Sequence, residues 1–183
     1  MFIVNGIIIW WFLHLCVIYT QAQKDAIVAE LELFEIDKKY DTKFIDWNTL
    51  RMTRVSRNNF VVNGTVIVNF NLNNHQAINL QIYSYDAKQK MRGLLVFNVD
   101  QKICEFIEKD KQVYPGLQDV SNLPEPGTCP VPKGEYHIKN YELKIDFLSS
   151  DIPDGDYNIL VKLKNGFNTV AGLEIFIKIS HET

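Results

Sequence analysis

Cys104 and Cys129 are the residues whose type and spacing bear most directly on chemistry. Cys129 stands in GTCPVPKGEYHI, behind a glycine and a threonine and ahead of two prolines, and His137 follows on the same stretch. Three chemistries compete for such a thiol. A nucleophile needs a lowered pKa and a nearby base, and a structural zinc site needs four donors. A disulfide needs only a second cysteine and an oxidising compartment. Closing the 25-residue separation between the two positions would contribute roughly 3–4 kcal/mol. The pair reads as a disulfide, with metal binding and a free or catalytic thiol as the alternatives.

The start of the chain supplies the compartment. Ile7 to Ile18 form an apolar run followed by Thr20, Gln21 and Ala22, and no charged residue occurs before Lys24. This pattern reads as a signal peptide over 1–22, cleaved near Ala22, leaving one domain over 23–183. Cys16 departs with the leader, so the two remaining cysteines form an even pair in a secreted, extracellular protein. Asn63-Gly64-Thr65 agrees, being an N-glycosylation sequon that requires an exposed Asn63.

Other chemistry is sparse. The chain has no glycine-rich phosphate loop, HExxH zinc motif, EF-hand loop or GxSxG elbow. His75 reads as an exposed loop residue, His137 as an ordinary strand residue and His181 as a frayed terminal one. Asp146, Asp151, Asp154 and Asp156 surround a turn without a recognised calcium spacing, and read as capping and solubility residues. No metal, cofactor or catalytic residue is expected, and the reading is non-enzymatic. A formal net charge of -3 argues against nucleic-acid partners.

The elements that must position these residues are mostly strands. AIVAELELFEI fits a half-buried strand as well as a short helix, and the period-2 alternation that follows favours the strand. Further strands are expected in TLRMTRVSR, in NFVVNGTVIVNFNL with a turn or bulge at Asn63-Gly64, and in AINLQIYSYD paired with RGLLVFNV. Asp100 reads as the cap of one short helix over QKICEFIEKDKQVY, with Ile103, Phe106 and Ile107 on its apolar face. Pro115, Pro124, Pro126, Pro130 and Pro132 make the next segment a constrained loop. EYHIKNYELKIDF resumes the sheet with a bend or bulge near Asn140. SSDIPDG turns the chain into YNILVKLKNGF and VAGLEIFIKI, where Leu173, Ile175, Ile177 and Ile179 share a face. Seven or so strands with one short helix predict an all-β, antiparallel two-sheet sandwich of immunoglobulin-like type.

Aromatic residues are spread over these strands. They either pack a solid core or line a pocket for an acyl chain or another apolar molecule. Phe70, Tyr83, Phe97, Tyr136, Phe147 and Phe176 are the candidate ligand-binding residues.

The order FNVDQKICEFI, CPVPKGEYHIKN and IPDGDYNILVKL resembles a family of secreted insect proteins related to CheA/CheB-type chemosensory proteins, themselves similar to the ML-type lipid-recognition superfamily that includes the ganglioside activator. Cys104 and Cys129 match the family's central cysteine pair, Pro130, Gly134 and Tyr136 its CP and glycine-tyrosine pattern, and Pro153, Gly155 and Tyr157 its later turn. The resemblance is most specific from Phe97 to Leu163. It implies a β-sandwich whose sheets part around lipid, and a role in pheromone or taste detection. The function expected is that of a secreted binding protein for a small hydrophobic or lipid-like ligand, partnered by a membrane receptor or extracellular protein. The alternative is a secreted protein- or glycan-interaction module with a packed core and no lipid ligand.

Overall fold

The computed structural model describes residues 26–56, 59–143, 145 and 147–182. The expected signal peptide lies outside the described residues, as does Asp146 of the acidic turn. The strands are β1 (Ala26–Ile36), β2 (Ile45–Asp46), β3 (Arg51–Ser56), β4 (Asn59–Val68), β5 (Gln76–Asp86), β6 (Met91–Lys102), β7 (Gly134–Tyr141), β8 (Gly155–Asn165) and β9 (Asn168–Glu182). Between β6 and β7 lie two short helices, α1 (Ile103–Lys109) and α2 (Tyr114–Asp119).

All pairings are antiparallel. One sheet has the order β1-β9-β8-β5-β6, and in the other β4 is paired with β7 along one edge and with β2 and β3 along the other. The sandwich expected from the alternating pattern is therefore present. Its inner faces carry Leu31, Ile82, Ile159, Leu173, Ile175, Ile177 and Ile179 from the larger sheet and Val62, Ile138 and Tyr141 from the smaller, within one buried cluster. A second cluster gathers Ile103, Cys104, Phe106 and Ile107 of α1 with Tyr114, Val131, Tyr136 and Leu163.

The helical region departs from expectation. Asp100 does not cap a helix; it lies inside β6 opposite Asn79 and forms an ion pair with Lys164. The strand continues through Lys102, which precedes α1 without a side-chain cap, because pairing of Ala77 with Lys102 extends the ladder past the aspartate. The proline-rich segment is not wholly loop, since α2 forms with Pro115 in its first turn, where a missing N–H costs nothing. Asp110 starts that turn: its Oδ2 accepts the N–H groups of Gln112, Val113 and Tyr114 at 3.1, 2.7 and 2.6 Å.

β7 ends at Tyr141 rather than running on to Phe147. Its free edge is covered by the segment after α2: Lys139 N–H donates to the Val120 carbonyl at 2.9 Å, and Ser121 bridges Ile138. That cover removes an open strand edge. His181 is not frayed: it pairs with Ile27 of β1 in the ladder, and its ring meets Asp154 Oδ1 at 2.5 Å and the Ser150 carbonyl at 2.9 Å.

Candidate functional site

The inner faces do not close on each other completely. A cavity of about 280 Å³ runs between the sheets, lined by Leu31 and Phe34 of β1, Leu173 and Ile175 of β9, Ile159 and Val161 of β8, Leu80 of β5 and Phe97 of β6, and by Val62, Val66, Tyr136 and Ile138 of the opposing sheet. Ile103, Phe106, Ile107, Val113, Tyr114, Leu117 and Val131 form a further wall. The volume lies just below the ~300–1,000 Å³ typical of ligand pockets and is nearly twice the ~150 Å³ that admits benzene.

The wall contributed by the crossover between the two sheets depends on three ties. Cys104 and Cys129 form a disulfide with Cα atoms 5.6 Å apart, joining a buried position on α1 to an exposed loop residue. Leu72 and Val131 exchange backbone hydrogen bonds at 2.9 and 2.7 Å. Tyr114 stands edge-on to Phe106, ring centroids 5.7 Å apart, and donates its hydroxyl to the Pro124 carbonyl at 2.6 Å. The disulfide is thus a constraint on one wall of the cavity. Among the described residues no group of three His, Cys, Asp or Glu is placed to hold a metal.

Three of the six aromatic candidates line the cavity. Phe97 and Phe147 pack against each other with centroids 5.0 Å apart, and Tyr136 contributes from β7. The other three do not line it. Phe70 follows the end of β4, is 52% exposed and rests on Phe44 at 5.3 Å. Tyr83 and Phe176 turn to the opposite face of the larger sheet, because Ile82, Ile175 and Ile177 occupy the inward phase of the same strands. Tyr83, Asn158 and Phe176 stand in register on that outer face. There Asn158, fully buried, accepts Arg92 Nε at 2.6 Å, while Arg92 pairs with Glu174 at 2.7 Å. Phe176 also meets Tyr85, with ring centroids 4.9 Å apart.

The two glycine-tyrosine stretches share one pattern, P-x-G-x-Y, as Pro132-Lys133-Gly134-Glu135-Tyr136 and Pro153-Asp154-Gly155-Asp156-Tyr157. Each copy opens a strand, β7 or β8, and each tyrosine is buried with its hydroxyl turned back onto the proline carbonyl, at 2.6 and 2.8 Å. The motif satisfies a buried hydroxyl locally and fixes where the strand enters the sheet. The proline that anchors Tyr136 is Pro132 and not Pro130, whose peptide bond to Cys129 is cis.

Tyr141 is aimed by a bulge. Between the pairs Gly64–Ile138 and Val62–Tyr141, β4 advances by two residues and β7 by three, and Asn140 at φ 57° absorbs the extra residue. Tyr136 and Ile138 face inward, so strict alternation would turn Tyr141 outward; the bulge shifts the phase and returns it to the cavity. Asn63 Oδ1 clamps this bulge by accepting the Asn140 N–H at 2.8 Å. Asn63 is half-buried in β4, and the sequon's Thr65 hydroxyl is hydrogen-bonded to His137 Nδ1 at 3.0 Å. Gly64 completes the stretch: at φ 143° it lets the Thr49–Leu50 backbone approach so closely that a Cβ would stand 2.5 Å from the Thr49 carbonyl oxygen.

Burial pushes the Tyr141 phenol up to about 12, with the Asp110 carboxylate adding to the rise, and burial likewise pushes Tyr114 up to about 12. Both are neutral donors at any physiological pH.

Residues 78–159 match the model of a family described as a protein of unknown function, DUF1091. The matched stretch runs from β5 into β8 and contains the disulfide, the crossover wall and both P-x-G-x-Y copies. No curated protein matches the chain.

Proposed function

We propose that this chain is a secreted, non-enzymatic binding protein that carries or senses a small hydrophobic or lipid-like molecule between its two sheets. The observation that carries the reading is the apolar cavity of about 280 Å³ walled by both sheets and by the disulfide-tied crossover. Transfer of an aliphatic chain from water into such surroundings is favourable by about 0.8 kcal/mol for each buried methylene, and a preformed cavity spares part of the cost of making room for it. The resemblance of Phe97–Leu163 to chemosensory relatives of the ML-type lipid-recognition proteins supports the same reading. The apolar leader and the cysteine pair support secretion, and the sequon supports a glycan on Asn63.

Native mass spectrometry of the protein purified from a secreting cell tests binding, glycan and stoichiometry together. Saturable one-to-one binding of fatty acids, hydrocarbons or sterols is the expected result. Absence of saturable binding to all three classes refutes the reading.

A second reading, a protein-interaction module, is favoured by one surface. β6 is an edge strand, and Met91, Leu94, Leu95 and Val96 are exposed along it, Leu94 to 79%. Exposed apolar edges are templates for strand addition by a partner. Recovery of a stoichiometric protein partner with no lipid in the mass spectrum would favour this second reading over the first.

A further inference from the structure

The cavity holds a buried polar group that has no partner among the described residues. Tyr141 lines it and is only 9% exposed, and among the described residues its hydroxyl has no hydrogen-bond partner. No fully enclosed side-chain polar atom among the described residues lacks a partner, so this oxygen keeps an accessible face. The other tyrosines on the wall are spent: Tyr114 donates to Pro124 and Tyr136 to Pro132. Lys162 donates to Gln81 at 3.2 Å, and Asp110 is engaged by three backbone N–H groups of the turn before α2. Of the remaining polar groups on the lining, the indole of Trp47 is only half-buried, and Gln112 is exposed and marks where the cavity nears the surface.

A phenol turned into an apolar space with no acceptor of its own forfeits a hydrogen bond, and buried hydroxyls in native proteins are ordinarily paired. The backbone here is built to aim it: the Asn140 bulge reverses the strand's phase, and the Asn63 side chain clamps the bulge from the neighbouring strand β4. We infer that Tyr141 is the polar anchor of the ligand site and that the ligand is an uncharged aliphatic molecule with one oxygen acceptor, such as a ketone or ester carbonyl, which takes the Tyr141 hydrogen bond. This deepens the proposed function and rests on it.

Charge and size narrow the class. Burial in an apolar space disfavours a negative charge beside Tyr141 first, and the Asp110 carboxylate on the same lining adds to it. A neutral group is therefore favoured over a free carboxylate. Scaling from the ~150 Å³ that holds the six carbons of benzene, the space accepts roughly 11 non-hydrogen atoms, the size of a ten-carbon ketone.

The test compares decane, 2-decanone and decanoate on the full secreted chain and on Tyr141→Phe, by displacement of a fluorescent apolar reporter and by native mass spectrometry. Phe keeps the ring and removes a hydroxyl that has no partner among the described residues, so thermal unfolding of the variant should match the parent. The expected result is 2-decanone bound about tenfold more tightly than decane or decanoate by the parent, with that advantage lost in Tyr141→Phe while decane binding is unchanged. Equal 2-decanone affinity in both proteins, or decanoate bound best, overturns the anchor while leaving the hydrophobic-ligand reading intact. Failure of all three ligands and of the reporter to bind the parent overturns both.

Discussion

Breaking the disulfide should loosen the crossover wall before it unfolds the sandwich. Cys129 is exposed and Cys104 buried, so Cys129→Ala in reducing buffer opens the bond while leaving the α1 side chain in its packing site. The bond closes a separation of 25 residues, for which the chain-entropy relation gives a loss of about 3.5 kcal/mol. With an unfolding entropy of about 2.1 cal/mol/K per residue over roughly 160 residues, that loss lowers the melting temperature by about 10 °C. Thermal and guanidinium unfolding of the variant against the oxidised parent measure the magnitude. Hydrogen exchange measures the order, with amides of α1 and residues 110–131 losing protection first and those of the β8–β9 hairpin last. A loss below about 1 kcal/mol, or protection falling uniformly over both sheets, refutes the argument that this bond acts on one wall. Quantitative alkylation of both cysteines in the unreduced parent refutes the bond itself.

Three further outcomes follow from local geometry. Tyr157→Phe removes the hydroxyl that meets the Pro153 carbonyl at 2.8 Å, and should cost about 1 kcal/mol in denaturant unfolding; no loss would mean that the P-x-G-x-Y turn holds without its hydrogen bond. Gly64→Ala puts a Cβ 2.5 Å from the Thr49 oxygen at a φ of 143°, and overpacking with backbone strain should cost about 2–4 kcal/mol; a parent-like unfolding midpoint would contradict the close approach. Tyr114 and Tyr141 have folded pKa values raised to about 12 above their unfolded value of 10, so the folded state binds more protons between those limits. Stability is then unaffected by these groups below pH 10 and falls as pH rises from 10 toward 12; ultraviolet titration that ionises every tyrosine near 10 without unfolding would refute it.

Much of the architecture was legible because a period of two is a local property. Leu173, Ile175, Ile177 and Ile179 share an inward face in the structure as they do in the pattern, and the bulge expected near Asn140 is present there. The same period already spoke against Phe176, which stands in the opposite phase to those residues, and against Tyr83, which alternates with Ile82. Aromatic character alone does not report that phase, and Phe70, Tyr83 and Phe176, half of the candidate pocket residues, lie outside the cavity. The Asp100 cap failed for a different reason: pairing with β5 stabilises strand past the aspartate, a contact between distant residues that no local cap signal reports.

What the chain determined by itself is the alternation that makes two amphipathic sheets, the turns that separate their strands, and the two cysteines available to join them. Each depends on neighbours within a few residues. Tertiary structure alone decided that the sheets stand apart around a cavity, since a filled and an open interior require the same apolar face. It alone also decided which phenol faces that cavity without a partner among the described residues. Tyr141 is turned inward by one extra residue in β7, and that residue is held by a side chain from a strand more than seventy positions earlier, where Asn63 accepts the Asn140 N–H.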